Sequence, residues 1–226
     1  MINYTLMRSK RKTIQICVRD RDGSVEVRAP SQVPRQAIER YVAGKEAWIT
    51  RNLEKINARI ARRNCFTLNY GSLILFRGKE YPITETEGDS ACFDGNSFCL
   101  PPNLTPEQIK KTCVGIYRDL AGSILTERTL ELAEHMSVEP TAIKINNAKS
   151  RWGSCTSIGT INIAWRLIMA EDDVIDYIIV HELAHMYKMG HSEEYWDLVG
   201  CVLHDYEERI IKLRELQERI LGEDWD

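Results

Sequence analysis

The stretch that decides the reading runs His181-Glu182-Leu183-Ala184-His185-Met186-Tyr187-Lys188-Met189-Gly190-His191. On a helix, His181 and His185 stand four apart and project from one face. Two imidazoles so placed can take one metal ion, and Glu182 beside the first can accept a proton from water at that site. Gly190 offers a place for a helix to end and the chain to turn back, which brings in His191 as a third nitrogen. Three protein nitrogens with one open position suit a catalytic zinc, whereas a structural zinc is closed by a fourth protein ligand. Asp172 or Asp173 can cap the start of the helix, and Val174, Ile175, Ile178, Ile179, Leu183, Ala184 and Met186 supply its apolar face. The plainer alternative is a buried helix whose histidines are hydrogen-bonded in a core. Three of the five histidines fall inside this one stretch, which favours the metal.

Upstream stands a second motif, Ser150-Arg151-Trp152-Gly153-Ser154-Cys155-Thr156, followed by an expected strand from Gly159 to Leu167 that closes near Met169. Gly153 would let another group approach the backbone closely. Arg151 can hold a carboxylate or phosphate, or stabilise an oxyanion. The competing reading has Trp152 filling the core and Arg151 paired with a helix carboxylate. Cys155 as a ligand or nucleophile is the weaker reading, because buried free cysteines usually only pack. Further on, Glu193 and Glu194 read as the acidic first turn of a helix capped by Ser192. His135 and His204 read as helix-end residues rather than ligands.

The chain has 226 residues, with 43% hydrophobic and 28% charged, the composition of a globular protein with a real core. No apolar run reaches the length of a membrane span, and Met1 to Lys12 lacks the apolar core of a signal peptide, so a cytoplasmic protein is expected. Seven cysteines with no Cys-x-x-Cys pair point to free thiols rather than a disulfide framework or a second zinc site. The net charge of −3 hides an asymmetry. Residues 1 to 80 carry 17 Lys and Arg against 7 Asp and Glu, and the remainder carries 13 against 26. The basic part can attract an anionic partner such as nucleic acid or a nucleotide, or simply solvate its own face.

The amino-terminal part predicts a β-hairpin, Thr13 to Val18 and Val25 to Arg28, around a turn at Asp20 to Gly23. One long helix follows from Pro34 through Ile56. Short strands are expected at Leu73 to Phe76 and Tyr81 to Thr84, and a hairpin at Cys92 to Leu100. Pro101 to Asn103 marks the expected boundary between a basic β-rich region, 1–103, and a second domain, 104–226. Thr105, Pro106 and Gln108 combine an N-cap, a first-position proline and a capping-box glutamine, opening a helix that runs to about His135. Strands at Ile143 to Ile145 and Thr160 to Ile163, the metal helix, and helices at Glu193 to Leu203 and Tyr206 to Leu221 complete an α+β order.

Taken together, Arg151-Trp152-Gly153-Ser154-Cys155, Trp165-Arg166-Leu167, Asp176-Tyr177, His181 to His185, His191-Ser192 and Tyr195-Trp196 resemble the YgjP-like metal-dependent hydrolases of the zincin superfamily. Arg8 to Lys12 and Val27 to Pro30 are similar to that family as well. The likeness to SprT and Spartan type proteases, which act on protein crosslinked to DNA, is more distant. Lys188 stands where metzincins have glycine, and no Met-turn is evident. The resemblance implies a zincin-like metallopeptidase domain with a small mixed sheet and an active-site helix. It also implies metal ligands His181, His185 and His191 with Glu182 as general base. Tyr195 stands where the family more often has Phe. Arg151 and Tyr195 are the candidates for contact with substrate or an oxyanion. The expected cofactor is Zn2+, with Ni2+ or Co2+ suiting the same donors. The expected substrate is a peptide or protein. A metal-dependent phosphoester or nucleotide hydrolase, or a nucleic-acid adaptor with structural zinc, are the alternatives.

Overall fold

In the computed structural model, which describes residues 2–225, the chain falls into two compact units. One holds the residues up to Phe66 together with Arg219–Asp224, and the other holds Thr67–Glu218 with Trp225. Among the described residues no helix is long and apolar enough to cross a membrane.

The first unit is built on a three-stranded sheet of order β1-β3-β2, with β1 at Thr5–Ser9, β2 at Gln15–Val18 and β3 at Val25–Pro30. Alternation along β3 sends Val25, Val27 and Ala29 inward, where Ile38, Val42 and Ile49 close the core. The hairpin of β2 and β3 is where the sequence puts it, but β1, parallel to β3, is an addition. The expected single helix is two, α1 at Arg35–Ala43 and α2 at Glu46–Cys65. The break lies at Gly44 and Lys45, where Lys45 leaves helical geometry at φ −111° and ψ 8°. Much of the positive charge is used internally. Arg8 donates to the carbonyls of Pro30, Ser31 and Val33, and Arg19 and Arg28 both pair with the buried Glu26.

The second unit has a four-stranded sheet of order β4-β5-β7-β6, from β4 at Leu73–Phe76, β5 at Lys79–Glu85, β6 at Cys92–Phe93 and β7 at Phe98–Leu100. Against it runs α3, Pro106–His135, started by the expected capping box of Thr105 and Gln108. Tyr117 of α3 meets Phe98 at 5.1 Å between rings and donates its hydroxyl to the Leu75 carbonyl at 2.6 Å. These contacts make β4 to β7 part of the second unit. The units therefore divide after Phe66, whereas the turn at Pro101 to Asn103, where the sequence suggests a boundary, lies inside the second.

A second small sheet, order β8-β10-β9, follows from β8 at Ala142–Asn146, β9 at Gly153–Cys155 and β10 at Thr160–Ala164. β10 runs parallel to β8 and antiparallel to β9, leaving β9 at an edge. The expected strand to Leu167 ends at Ala164, because Trp165–Met169 form a 3-10 turn. All five of those residues are buried, which a strand presenting alternate faces does not achieve at a sheet margin. Asn147 anchors the turn by accepting from Trp165 Nε1 at 2.9 Å and Arg166 Nη1 at 2.7 Å. The remaining helices are α4 at Asp172–Ala184, α5 at Glu193–Val202 and α6 at Tyr206–Ile220.

Candidate metal centre

The site grows from α4. Asp172 and Asp173 occupy its first turn, where negative charge is favoured, and Arg77 holds Asp172 by two bonds of 2.6 and 2.7 Å. One turn on, Arg128 of α3 grips Asp176 in the same bidentate way at 2.6 and 2.8 Å. Val174, Ile175, Ile178, Ile179, Val180, Leu183 and Ala184 are all buried, so the helix is fixed in rotation and His181 has one direction open to it. The helix ends at Ala184, earlier than Gly190. His185 keeps helical angles as the cap, and Gly190 makes the return turn at φ +107°.

These turns bring the three histidines together. Their ligand atoms all lie within 4.8 Å of one another, and Nε2 of His181 is 3.2 Å from Nε2 of His191. Two nitrogens on one tetrahedral zinc stand about 3.3 Å apart. Nδ1 of His185 lies 3.2 Å from the Lys188 carbonyl, a contact that places the ring proton there and leaves Nε2 as the free lone pair. Nδ1 of His181 is buried without a hydrogen-bond partner, and its Nε2 faces the cluster. Burial first, then the neighbouring His185 and His191, pushes the His181 imidazole down to about 4. Burial lowers His185 as well. Three imidazoles with converging ring nitrogens fit a divalent ion of borderline softness.

Aromatic rings back the cluster. Tyr195 stacks on His185 at 4.7 Å, and Trp196 stacks on His191 at 5.8 Å and on Tyr206 at 5.4 Å. The Tyr195 hydroxyl donates to the His181 carbonyl at 2.8 Å, and the residue is fully buried. In this geometry the Tyr195 proton serves the backbone of α4.

The Glu182 carboxylate lies against β9. The residue is 6% exposed, and its carboxylate accepts the Cys155 amide. Burial pushes this carboxyl up to about 7, against the opposing pull of that amide and of the Arg151 charge. A Cβ added to Gly153 would lie 2.6 Å from both Cγ and Oε1 of Glu182. Gly153 is therefore a glycine because the carboxylate rests on its Cα. Arg151 is exposed and Trp152 half-buried, so neither half of the core-packing alternative describes the pair fully. Cys155 stays outside the cluster, with Sγ donating to the Thr156 carbonyl. The supporting roles of Trp196, Tyr177, Tyr206 and the Arg128–Asp176 pair escape a reading of the motif alone. The one local signal is Tyr177, a helical turn before His181 and 5.8 Å from its ring.

A helix-borne His-Glu-x-x-His with a third imidazole beside a small mixed sheet defines a metal-dependent hydrolase of the metallopeptidase class. A family model described as YgjP-like, metallopeptidase domain, matches residues 12–216. The chain belongs to that family, and the family implies a protein or peptide substrate. No curated protein matches the chain. Two solved structures are similar to part of it. The metallopeptidase zymogen of Pyrococcus abyssi abylysin is 22% identical over 39% of this chain and 92% of its own, with a TM-score of 0.35. The metallopeptidase zymogen of Methanocaldococcus jannaschii jannalysin is 17% identical over 40% of this chain and 94% of its own, with a TM-score of 0.37.

Proposed function

We propose that His181, His185 and His191 hold one divalent ion, zinc by preference, and that Glu182 is the general base in hydrolysis of a peptide bond. What carries this reading is the union of three converging imidazoles with a buried carboxylate on the adjacent residue. Zinc, when bound, polarises the scissile carbonyl and acidifies the attacking water. Glu182 takes the proton of that water as the new carbon–oxygen bond forms, and delivers it to the leaving nitrogen as the carbon–nitrogen bond breaks. Gly153 and the Cys155 amide keep the carboxylate in place. Arg151, whose charge is felt at Glu182, is assigned to the developing negative oxygen or to a substrate carboxylate. The edge strand β9 offers an extended peptide a partner.

The cluster has three members among the described residues, an arrangement that leaves room for substrate and speaks against a closed structural zinc. Nickel and cobalt suit the same donors. All seven cysteines are free thiols, which suits a reducing compartment, and we place the enzyme in the cytoplasm. The test strips the purified protein of metal and reloads it with zinc, nickel or cobalt, then assays unfolded protein and nucleotides. Peptide cleavage only in the loaded protein is the expected result. Nucleotide hydrolysis in its place, or nucleic-acid binding that survives metal removal, overturns the proposal.

A further inference from the structure

Ile158, Tyr187 and Met189 are 72%, 53% and 62% exposed. Singly, such residues need no explanation, but these three share one neighbourhood. Ile158 lies in the turn after β9, while Tyr187 and Met189 lie in the segment between α4 and His191. The two segments touch, since a Cβ built on Gly159 would sit 3.5 Å from Cε of Met186. Each is also fastened from behind. Thr141 donates its hydroxyl to the Ile158 carbonyl at 2.9 Å and its amide to the Gly159 carbonyl at 3.0 Å. The Tyr187 hydroxyl donates to the carbonyls of Met136 and Ser137 at 2.5 and 3.3 Å. Lys188, between the two apolar residues, is neutralised by Glu194. The apolar groups are thus held out toward solvent on an ordered frame, and binding there costs little further ordering.

Their position gives the seat a purpose. Ile158 stands three residues beyond Cys155, whose amide rests on Glu182, in the tight turn that the Gly159 amide closes onto the Thr156 carbonyl at 2.9 Å, so it lies no more than about 10 Å from Cys155. A peptide lying along β9 with its scissile bond at Glu182 would bring a side chain to Ile158 within about three residues of that bond. We propose that Ile158, Tyr187 and Met189 form an apolar seat for one bulky aliphatic or aromatic side chain of the substrate. The substrate class is then unfolded or loosely structured polypeptide, the state in which such side chains are open to capture. This inference rests on the peptidase reading of the histidines and Glu182.

Binding without turnover tests it. Zinc-loaded E182Q protein is titrated, by fluorescence anisotropy, into two labelled unstructured peptides that differ in one central residue, Phe or Ser. The Phe peptide should bind about tenfold more tightly or better, and I158S/M189S should abolish the difference. I158L/M189L should restore it, which separates loss of the seat from loss of the fold. Equal affinity for the two peptides, or a preference that survives I158S/M189S, overturns the proposal. Peptide preference in a protein that never cuts would keep the seat and reject the peptidase reading. Cleavage without the preference would do the reverse.

Discussion

The molecule buries two glutamates and treats them in opposite ways. Glu26, on the central strand of the first unit, is 4% exposed, and Glu182, on α4, is 6% exposed. Arg19 and Arg28 both pair with Glu26, and their hydrogen bonds hold its carboxyl below the ordinary value. Glu182 has one backbone amide and the more distant charge of Arg151, and burial pushes it up to about 7. A buried carboxylate with cations in contact stays ionised and acts as a strut. One without them is poised to exchange a proton. Glu26 is covered by arginines that are themselves half-exposed, so the difference lies both in the neighbours and in how far each carboxylate stands from solvent.

The sharpest way to break this contrast is to remove each charge in turn. E182Q should lower kcat for peptide cleavage by about 10³-fold, the scale of a lost general base, with bound zinc unchanged by metal analysis. E26Q should leave kcat within about twofold while lowering the melting temperature, because two arginines lose their partner. Equal activity losses would show that burial alone, and not pairing, sets the roles. The next largest effect belongs to Gly153. G153A places a methyl 2.6 Å from the Glu182 carboxylate and should cost about 10²-fold in kcat. It should also lower the melting temperature of the metal-free protein. E182A opens that space, so the double variant G153A/E182A should melt no lower than E182A alone. A full additive loss would mean that Gly153 is there for some other neighbour.

The same two residues carry opposite pH signatures in the metal-free protein. The folded chain keeps a proton on Glu182 up to about 7, whereas the unfolded chain loses it near 4.5. The contribution of Glu182 to stability is therefore full below 4.5 and declines as pH rises through 7. E182Q removes that decline, so its stability advantage over wild type should grow with pH, reaching on the order of 3 kcal/mol near pH 8. Glu26 runs the other way. Its stabilisation is present above the ordinary 4.5 and is lost as pH falls through its lowered value. His181, pushed down to about 4, stabilises above 6.5 and loses that contribution as pH falls toward 4. This last term is shared by wild type and E182Q and cancels in their difference. Urea unfolding of both at several pH values checks the slope, and a flat difference would break the contrast.

The sequence discloses these two glutamates unequally, for a physical reason. Local signals are plain: the Thr105 capping box, the β2–β3 hairpin, and the four-residue spacing of His181 and His185 are each visible within one turn or one strand pair. Gly190 marks the return to His191 in the same way. What stays hidden needs partners far along the chain. β1 pairs in parallel with β3 about twenty residues on, and nothing local in Thr5–Ser9 says so. Arg128 and Asp176 meet across 48 positions, and Gly153 meets Glu182 across 29. The roles of Arg19 and Arg28 around Glu26 were hidden in a charge count that reads as a solvated or anion-binding face. Periodicity reports which residues share a face, and only the fold reports what that face touches.

Tyr195 gives the smallest and most discriminating effect. Its hydroxyl donates to the His181 carbonyl and its ring stacks on His185. Burial also pushes the phenol well above its ordinary value, so it remains a neutral donor at every working pH. Y195F keeps the ring and removes one buried hydrogen bond, which should cost about 1 kcal/mol of stability. The His181 carbonyl loses a partner, the helix end loosens slightly, and kcat should fall by about threefold or less with zinc still bound. An oxyanion donor would behave differently, since its removal costs about 10²-fold or more in kcat and little in stability. A steady-state assay and a thermal melt on the one variant therefore separate a tyrosine that holds the helix from one that holds the reaction. A large kcat loss without a stability loss would return Tyr195 to the substrate and narrow the contrast, because Glu182 would then share its chemistry with a second buried acid.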